Sequence, residues 1–238
     1  MNSNISGSAT AKNIYHEDDK EGLRIFLCQR SAKGKKTNGE RLGLKISDIE
    51  NWQTNEEWVA KIKGITWSRK SPKRLTCIDW LKKNLAGVLD SSKWRALQNL
   101  RCSDNQLNVL HCANKKLQHL RCSHNRLIVL DVKKSTALKV LLCEDNKLTT
   151  LDLQTNTALD ILFCQTNQLT ELKVDWCTKL YALWCYDNQL SELGLNTTEL
   201  KWLDCTGNQS ITVFVKRDAD ITELSCDENT KIDYLIDF

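Results

Sequence analysis

Proline is nearly missing from this sequence: Pro72 is the only one in 238 residues, so no proline-punctuated pattern runs along the chain. No apolar run is long enough to cross a membrane. The N-terminus from Met1 to Asp19 is polar and has no apolar stretch of the kind a signal peptide needs. The expectation is a cytoplasmic protein, or an exported or cell-surface one whose signal lies outside this sequence. There is no glycine-rich phosphate loop. There is also no large excess of one charge, since the net is +4. The distribution says more. Residues 1–96 hold 19 Lys and Arg against 11 Asp and Glu, whereas residues 97–238 hold 15 against 19. A basic front and a mildly acidic remainder point to a composite chain. The eleven cysteines do not make an even set, as a disulfide framework usually needs.

What is present is one phrase written seven times between Leu97 and Ile236. The copy beginning at Leu138 reads LKVLLCEDNKLTTLDL, and its core-type positions recur every 20 or 21 residues. Numbering that leucine slot 1, slot 1 is Leu97, Leu117, Leu138, Leu159, Leu180, Leu200 and Ile221. Slot 4 is leucine in every copy, from Leu100 to Leu224. Slot 6 is always cysteine: Cys102, Cys122, Cys143, Cys164, Cys185, Cys205 and Cys226. Slot 9 is always asparagine, from Asn105 to Asn229. A fixed period of this size means a solenoid whose coils cover one another's apolar faces. Slots 4 and 6 alternate with variable slots 3, 5 and 7, which is the period of a strand with 4 and 6 inward. Stacked coils then make a parallel sheet. The slot 9 amide can donate to and accept from backbone of adjacent coils. Slots 11, 14 and 16, for example Leu148, Leu151 and Leu153, pack a return leg too short for a helix. The cysteines read as buried free thiols acting as small hydrophobes, which favours a reducing compartment.

The ends depart from the phrase. We expect a disordered leader over residues 1–19, a helical tryptophan-rich cap over 20–74 and a solenoid of one degenerate and seven regular repeats over 75–238. In the cap, Leu23, Phe26 and Leu27 share one face of a helix whose start is acidic. Ser31–Gly43 reads as a mobile basic loop. Thr54 and Glu57 form a capping-box pattern before Trp58, Val59 and Ile62. Trp52, Trp58, Trp67, Trp80 and Trp94 suggest a plug over the open end of the solenoid core. Leu75–Leu89 is an irregular first coil with Trp80 in the cysteine slot and Lys83 in place of the asparagine. At the other end, slot 11 decays to Ser210 and Lys231, and Tyr234 and Phe238 are expected to cover the last coil.

The phrase Leu-x-x-Leu-x-Cys-x-x-Asn-x-Leu-x-x-Leu-x-Val/Leu resembles the leucine-rich repeat, in a bacterial short-repeat form with cysteine in an inward strand slot. In length and plan it is similar to the internalin-like proteins. The resemblance spans Leu75–Ile236. It implies a right-handed α/β-type superhelix, with a concave parallel sheet that binds a macromolecular partner and a small helical N-terminal cap. The Leu-Pro pattern of the effector-type ubiquitin ligases is absent.

Function is sought in the slots that vary. Slot 5 reads Arg101, Arg121, Leu142, Phe163, Trp184, Asp204 and Ser225, and slot 3 reads Asn99, His119, Val140, Ile161, Ala182, Trp202 and Glu223. Slot 7 adds Tyr186. The face is basic at first, aromatic in the middle and acidic at the end. Exposed apolar patches of this kind mark binding surfaces, and Trp, Tyr and Arg are the usual anchors. A protein partner held by Arg101, His119, Arg121, Val140, Leu142, Ile161, Phe163, Trp184, Tyr186, Trp202 and Asp204 is the leading expectation. A carbohydrate stacked on the aromatic rings is the alternative from another class, and a spacer without ligand is the third. No enzymatic activity, cofactor or metal is expected. His111, Cys112, His119, Cys122 and His124 crowd together, but the register separates them into inward and outward slots. Cys28, Cys77 and Cys177 lie off the ladder without a partner motif. The basic groups Lys33, Lys35, Lys36 and Arg69, Lys70, Lys73, Arg74 suit anionic surfaces, but such groups more often form a solvated face, and nucleic acid is not the expected partner.

Overall fold

A computed structural model describes residues 14–30, 34–50, 52 and 56–234. Four short helices come first: α1 (Glu17–Leu27), α2 (Asn38–Arg41), α3 (Ile46–Glu50) and α4 (Glu57–Lys61). Fifteen strands follow among the described residues. Nine form the main sheet: β1 (Ile65–Trp67), β2 (Leu75–Asp79), β4 (Asn99–Arg101), β6 (His119–Arg121), β8 (Val140–Leu142), β9 (Ile161–Phe163), β10 (Ala182–Trp184), β12 (Trp202–Asp204) and β14 (Glu223–Ser225). From β2 onward every pairing in it is parallel, and β1 closes one edge antiparallel. Return legs make two smaller parallel sheets. One joins β3 (Ala86–Asp90), β5 (Gln106–His111) and β7 (Val129–Asp131); the other joins β11 (Glu192–Leu195), β13 (Thr212–Val215) and β15 (Lys231–Tyr234). Between them the return leg is extended but ladderless, with one bridge from Asp152 to Lys173. This is a solenoid with one strand of the main sheet per coil.

The repeat slots explain the coil. Slot 4 leucines and slot 6 cysteines from Leu100 to Cys205 are buried, and their Cα register runs straight across the sheet. Ile78 aligns with Leu100 and Asp79 with Arg101, and Trp80 N donates to Arg101 O, so Trp80 follows in the place that Cys102 takes one coil later. The slot 9 asparagines from Asn105 to Asn208 each stitch two coils. Asn167 Nδ2 donates to Cys143 O at 3.1 Å and to Cys164 O at 3.0 Å, while its Oδ1 accepts from Leu148 N at 3.0 Å. Asn105, Asn125, Asn146, Asn188 and Asn208 repeat the arrangement. A tight buried turn would otherwise leave these backbone groups unpaired.

A second polar ladder runs up the opposite corner, and the fixed slots gave no hint of it. Asn114, Ser135, Asn156, Cys177 and Thr197 are all buried there. Asn156 Nδ2 donates to Val132 O and Ser135 O, and Ser135 Oγ donates to Cys112 O at 2.6 Å. The residue just before each slot 9 asparagine from Asn105 to Asn208 is left-handed. Asp104, His124, Asp145, Thr166, Asp187 and Gly207 have φ between 50° and 67°.

At the front, α1 lays Leu23, Phe26 and Leu27 on the first coil. Phe26 stacks on Trp80 with ring centroids 5.4 Å apart, and Trp80 meets Trp94 edge-on at 6.3 Å. Trp58, Trp80 and Trp94 are fully buried, and Trp52 and Trp67 pack around them. The plug carries buried charge as well. Asp19 receives Arg74 Nε at 2.9 Å, Arg74 Nη2 at 3.0 Å and Leu75 N at 2.8 Å. Lys20 is buried between Glu17 at 2.9 Å and Glu56 at 2.7 Å.

Several local expectations change. Helix α1 begins at Glu17, inside the stretch read as leader; residues 1–13 lie outside the described residues. The segment read as a mobile basic loop contains α2, whose capping box is Thr37 with Glu40. Helix α4 starts from Glu56, which makes no side-chain cap bond; Thr54 lies outside the described residues. The loss of slot 11 at Ser210 is made good one residue later by Ile211, which is fully buried, with Ser210 left-handed at φ 45°. Tyr234 does not cover the last coil. It is exposed, as are Leu224 and Cys226, because among the described residues nothing packs over them; Phe238 lies outside the described residues.

Candidate functional surface

The outward slots form two straight rows on the main sheet. Along slot 5, Arg101, Arg121, Leu142, Phe163, Trp184, Asp204 and Ser225 are Cα neighbours in turn. Along slot 3 the row is Asn99, His119, Val140, Ile161, Ala182, Trp202 and Glu223. Strand spacing brings adjacent rings into contact. Phe163 and Trp184 stack with centroids 4.2 Å apart and planes 5° from parallel. Tyr181 and Trp202 meet at 5.8 Å. Val140, Leu142, Ile161, Phe163, Trp184 and Tyr186 are half-buried, and Trp202 is 44% exposed. Ala182 is the exception. It is buried, and the slot 3 row dips there between Ile161 and Trp202.

The two ends of the face are less alike than their charges imply. Arg101 Nη1 is spent on Asp79 at 2.9 Å, so the basic end rests on Arg121 more than on a pair of arginines. Beside it, burial lowers the His119 pKa, helped by Arg121 and Lys139, which keeps the imidazole neutral near pH 7. At the acidic end, the Asp204 carboxylate is fixed from its own coil: Oδ1 accepts from Thr206 Oγ1 at 2.8 Å and from Thr206 N at 3.2 Å. A cavity of about 240 Å³ opens here, lined by Trp184, Trp202, Leu203, Asp204, Glu223 and Ser225.

The other candidates lie elsewhere. All eleven cysteines are free thiols. Burial pushes the ladder thiols far up, Cys112 to about 12 and Cys205 to about 12, so the nucleophilic thiolate does not form near neutrality. Cys177 is likewise raised to about 11. His124 pairs with Asp145 at 3.1 Å on the coil turn, while Cys112 and Cys122 are in the core. Of the basic groups, Arg74 is held by Asp19 and Lys73 lies over the Tyr15 ring; Lys33 lies outside the described residues. A cleft of about 520 Å³ is on the return-leg side where the ladder lapses, lined by Thr150, Asp152, Gln154, Glu171, Lys173 and Trp176 among others. Trp176 is 53% exposed. It sits in no recurring slot, so the repeat pattern could not single it out.

The inward leucine and cysteine of each strand, the asparagine that bridges coils after it, and the extended return leg together define the coil type. The fold is a leucine-rich-repeat solenoid. No protein-family model matches the sequence, and neither does any curated protein. Solved structures similar to this chain include the functional domain of InlJ from Listeria monocytogenes, described as including a cysteine ladder. That domain is 21% identical over 60% of this chain and 51% of its own, with a TM-score of 0.33. A leucine-rich-repeat protein of Leptospira interrogans is 22% identical over 50% and 39%, TM-score 0.42. Internalin C2 of Listeria monocytogenes is 14% identical over 92% and 93%, TM-score 0.43. The chain spans about half the length of the first of these and less of the second.

Proposed function

We propose that this chain is a non-enzymatic protein-binding module whose partner is engaged by the aromatic centre of the main sheet. The observation that carries this reading is the Phe163–Trp184 stack. It stands on the side of the strands opposite the core, continuous with Leu142, Tyr186 and Trp202. Core packing does not account for it, because every inward slot beneath is already filled. Half-buried aromatics on a rigid sheet offer contact area at small entropic cost. The flanking Arg121 and Asp204 would set orientation. The test is affinity capture with the wild-type chain and with Phe163→Ala/Trp184→Ala. Capture of a partner by wild type and its loss in the double variant is expected. Equal capture by both would remove the aromatic centre from the site.

A carbohydrate reading has one observation in its favour, the exposed Trp176 in a cleft of hydroxyl, carboxylate and amide groups. A glycan array hit that Trp176→Ala abolishes would carry it.

A further inference from the structure

We infer that the acidic end of the main sheet is a socket for a basic side chain, an arginine of the partner protein. The inference rests on the protein-binding reading above and names the chemistry of what docks. The 240 Å³ cavity has room for a side chain and not for a folded element. Its walls are two indoles and two carboxylates: Trp184, Trp202, Asp204 and Glu223. Phe163 covers one face of Trp184, which leaves the other face toward the cavity side of the sheet, where Asp204 is the next residue in the row. Indole faces attract cations, and a planar guanidinium stacks on them while bridging to carboxylate oxygens.

Charge decides the occupant. Among the described residues no basic side chain pairs with Asp204 or Glu223. Lys201, which precedes Trp202 in the chain, is held instead by Asp220 at 3.0 Å. The Asp204 carboxylate needs no rearrangement to receive a cation, because Thr206 fixes one oxygen and leaves Oδ2 for a donor. From Trp184 to Glu223 the face offers indole rings and carboxylate acceptors, and an acidic segment would suit neither.

The experiment uses the full chain and two probes, acetyl-arginine methylamide and its neutral isostere acetyl-citrulline methylamide. Binding is read by tryptophan fluorescence and by two-dimensional NMR. The arginine probe is expected to saturate with shifts in the Trp184 and Trp202 indole signals, and the citrulline probe to bind at least about tenfold more weakly. Asp204→Asn/Glu223→Gln, which keeps the shape and the Thr206 bond, is expected to weaken the arginine probe by about tenfold or more. Equal binding of the two probes, or unchanged binding to this variant, overturns the inference. The partner-capture assay separates the two readings. Capture lost in Phe163→Ala/Trp184→Ala but kept in Asp204→Asn/Glu223→Gln would sink the socket and leave the protein-binding surface standing. Saturable arginine binding without any captured partner would do the reverse.

Discussion

Raising the pH loads the buried cysteines with a charge they cannot carry while folded. Eight thiols, Cys102, Cys112, Cys122, Cys143, Cys164, Cys177, Cys185 and Cys205, are buried to 1% exposure or less. Burial raises each above the ordinary value of 9.0. The folded chain therefore keeps these protons after the unfolded chain has released them. Their contribution is intact below 9.0 and is lost as the pH climbs from there toward the folded values. At a pH about one unit above 9.0 each thiol costs about 1.4 kcal/mol. Eight of them come to about 11 kcal/mol, as large as the whole stability of an ordinary domain. Urea unfolding followed by tryptophan fluorescence, in a reducing buffer at steps between pH 8 and 10, measures this directly. Stability should fall steeply above pH 9. The decisive comparison is Cys143→Ala. It removes one thiol and should flatten the slope by about 1.4 kcal/mol per pH unit, while exposed lysines and tyrosines titrate equally in both proteins. The same slope in the variant as in wild type would refute the reasoning, since it would mean the ladder thiols do not stay protonated in the folded chain.

Asn167→Ala leaves the Leu148 amide without its partner and takes one of two asparagine donors from each of the Cys143 and Cys164 carbonyls, and should cost about 2 kcal/mol of stability in urea unfolding. Thr166 is a β-branched residue at φ 54°, where asparagine or glycine is at ease, so Thr166→Asn should raise stability by about 1 kcal/mol, read from the same unfolding curve.

The solenoid was legible because its determinants are single residue types in fixed slots. Leu141, Cys143 and Asn146 each do one job, and no other side chain does it as well at that spacing. The second polar ladder was not legible for the opposite reason. Asn114, Ser135, Cys177 and Thr197 share a capacity to donate to a neighbouring carbonyl, and that capacity has no fixed letter. The cap was read correctly where apolar spacing spoke, at Leu23, Phe26 and Leu27, and missed where the signal was a buried ion pair 55 residues apart, Asp19 with Arg74. Helix α2 did announce itself through Thr37 and Glu40, but the surrounding lysines outweighed that local cue. On the main sheet, alternation placed the candidate residues on one face. It could not foresee that Arg101 is engaged by Asp79, or that Ala182 sinks below its neighbours, because both depend on the lengths of side chains in adjacent coils.

The straight register of the slots makes each coil a unit of length. Excising residues 138–158 would put Leu159 where Leu138 stands and leave inward slots, asparagine stitches and turns matched across the seam. The outward face of the main sheet would shorten by one strand spacing, about 4.8 Å, and Arg121 would become the neighbour of Phe163. Duplicating the same 21 residues would move Arg121 the same distance away from Trp184. The chain is in this sense a ruler, on which the distance between its cationic and anionic contact points can be set in discrete steps without redesigning the core.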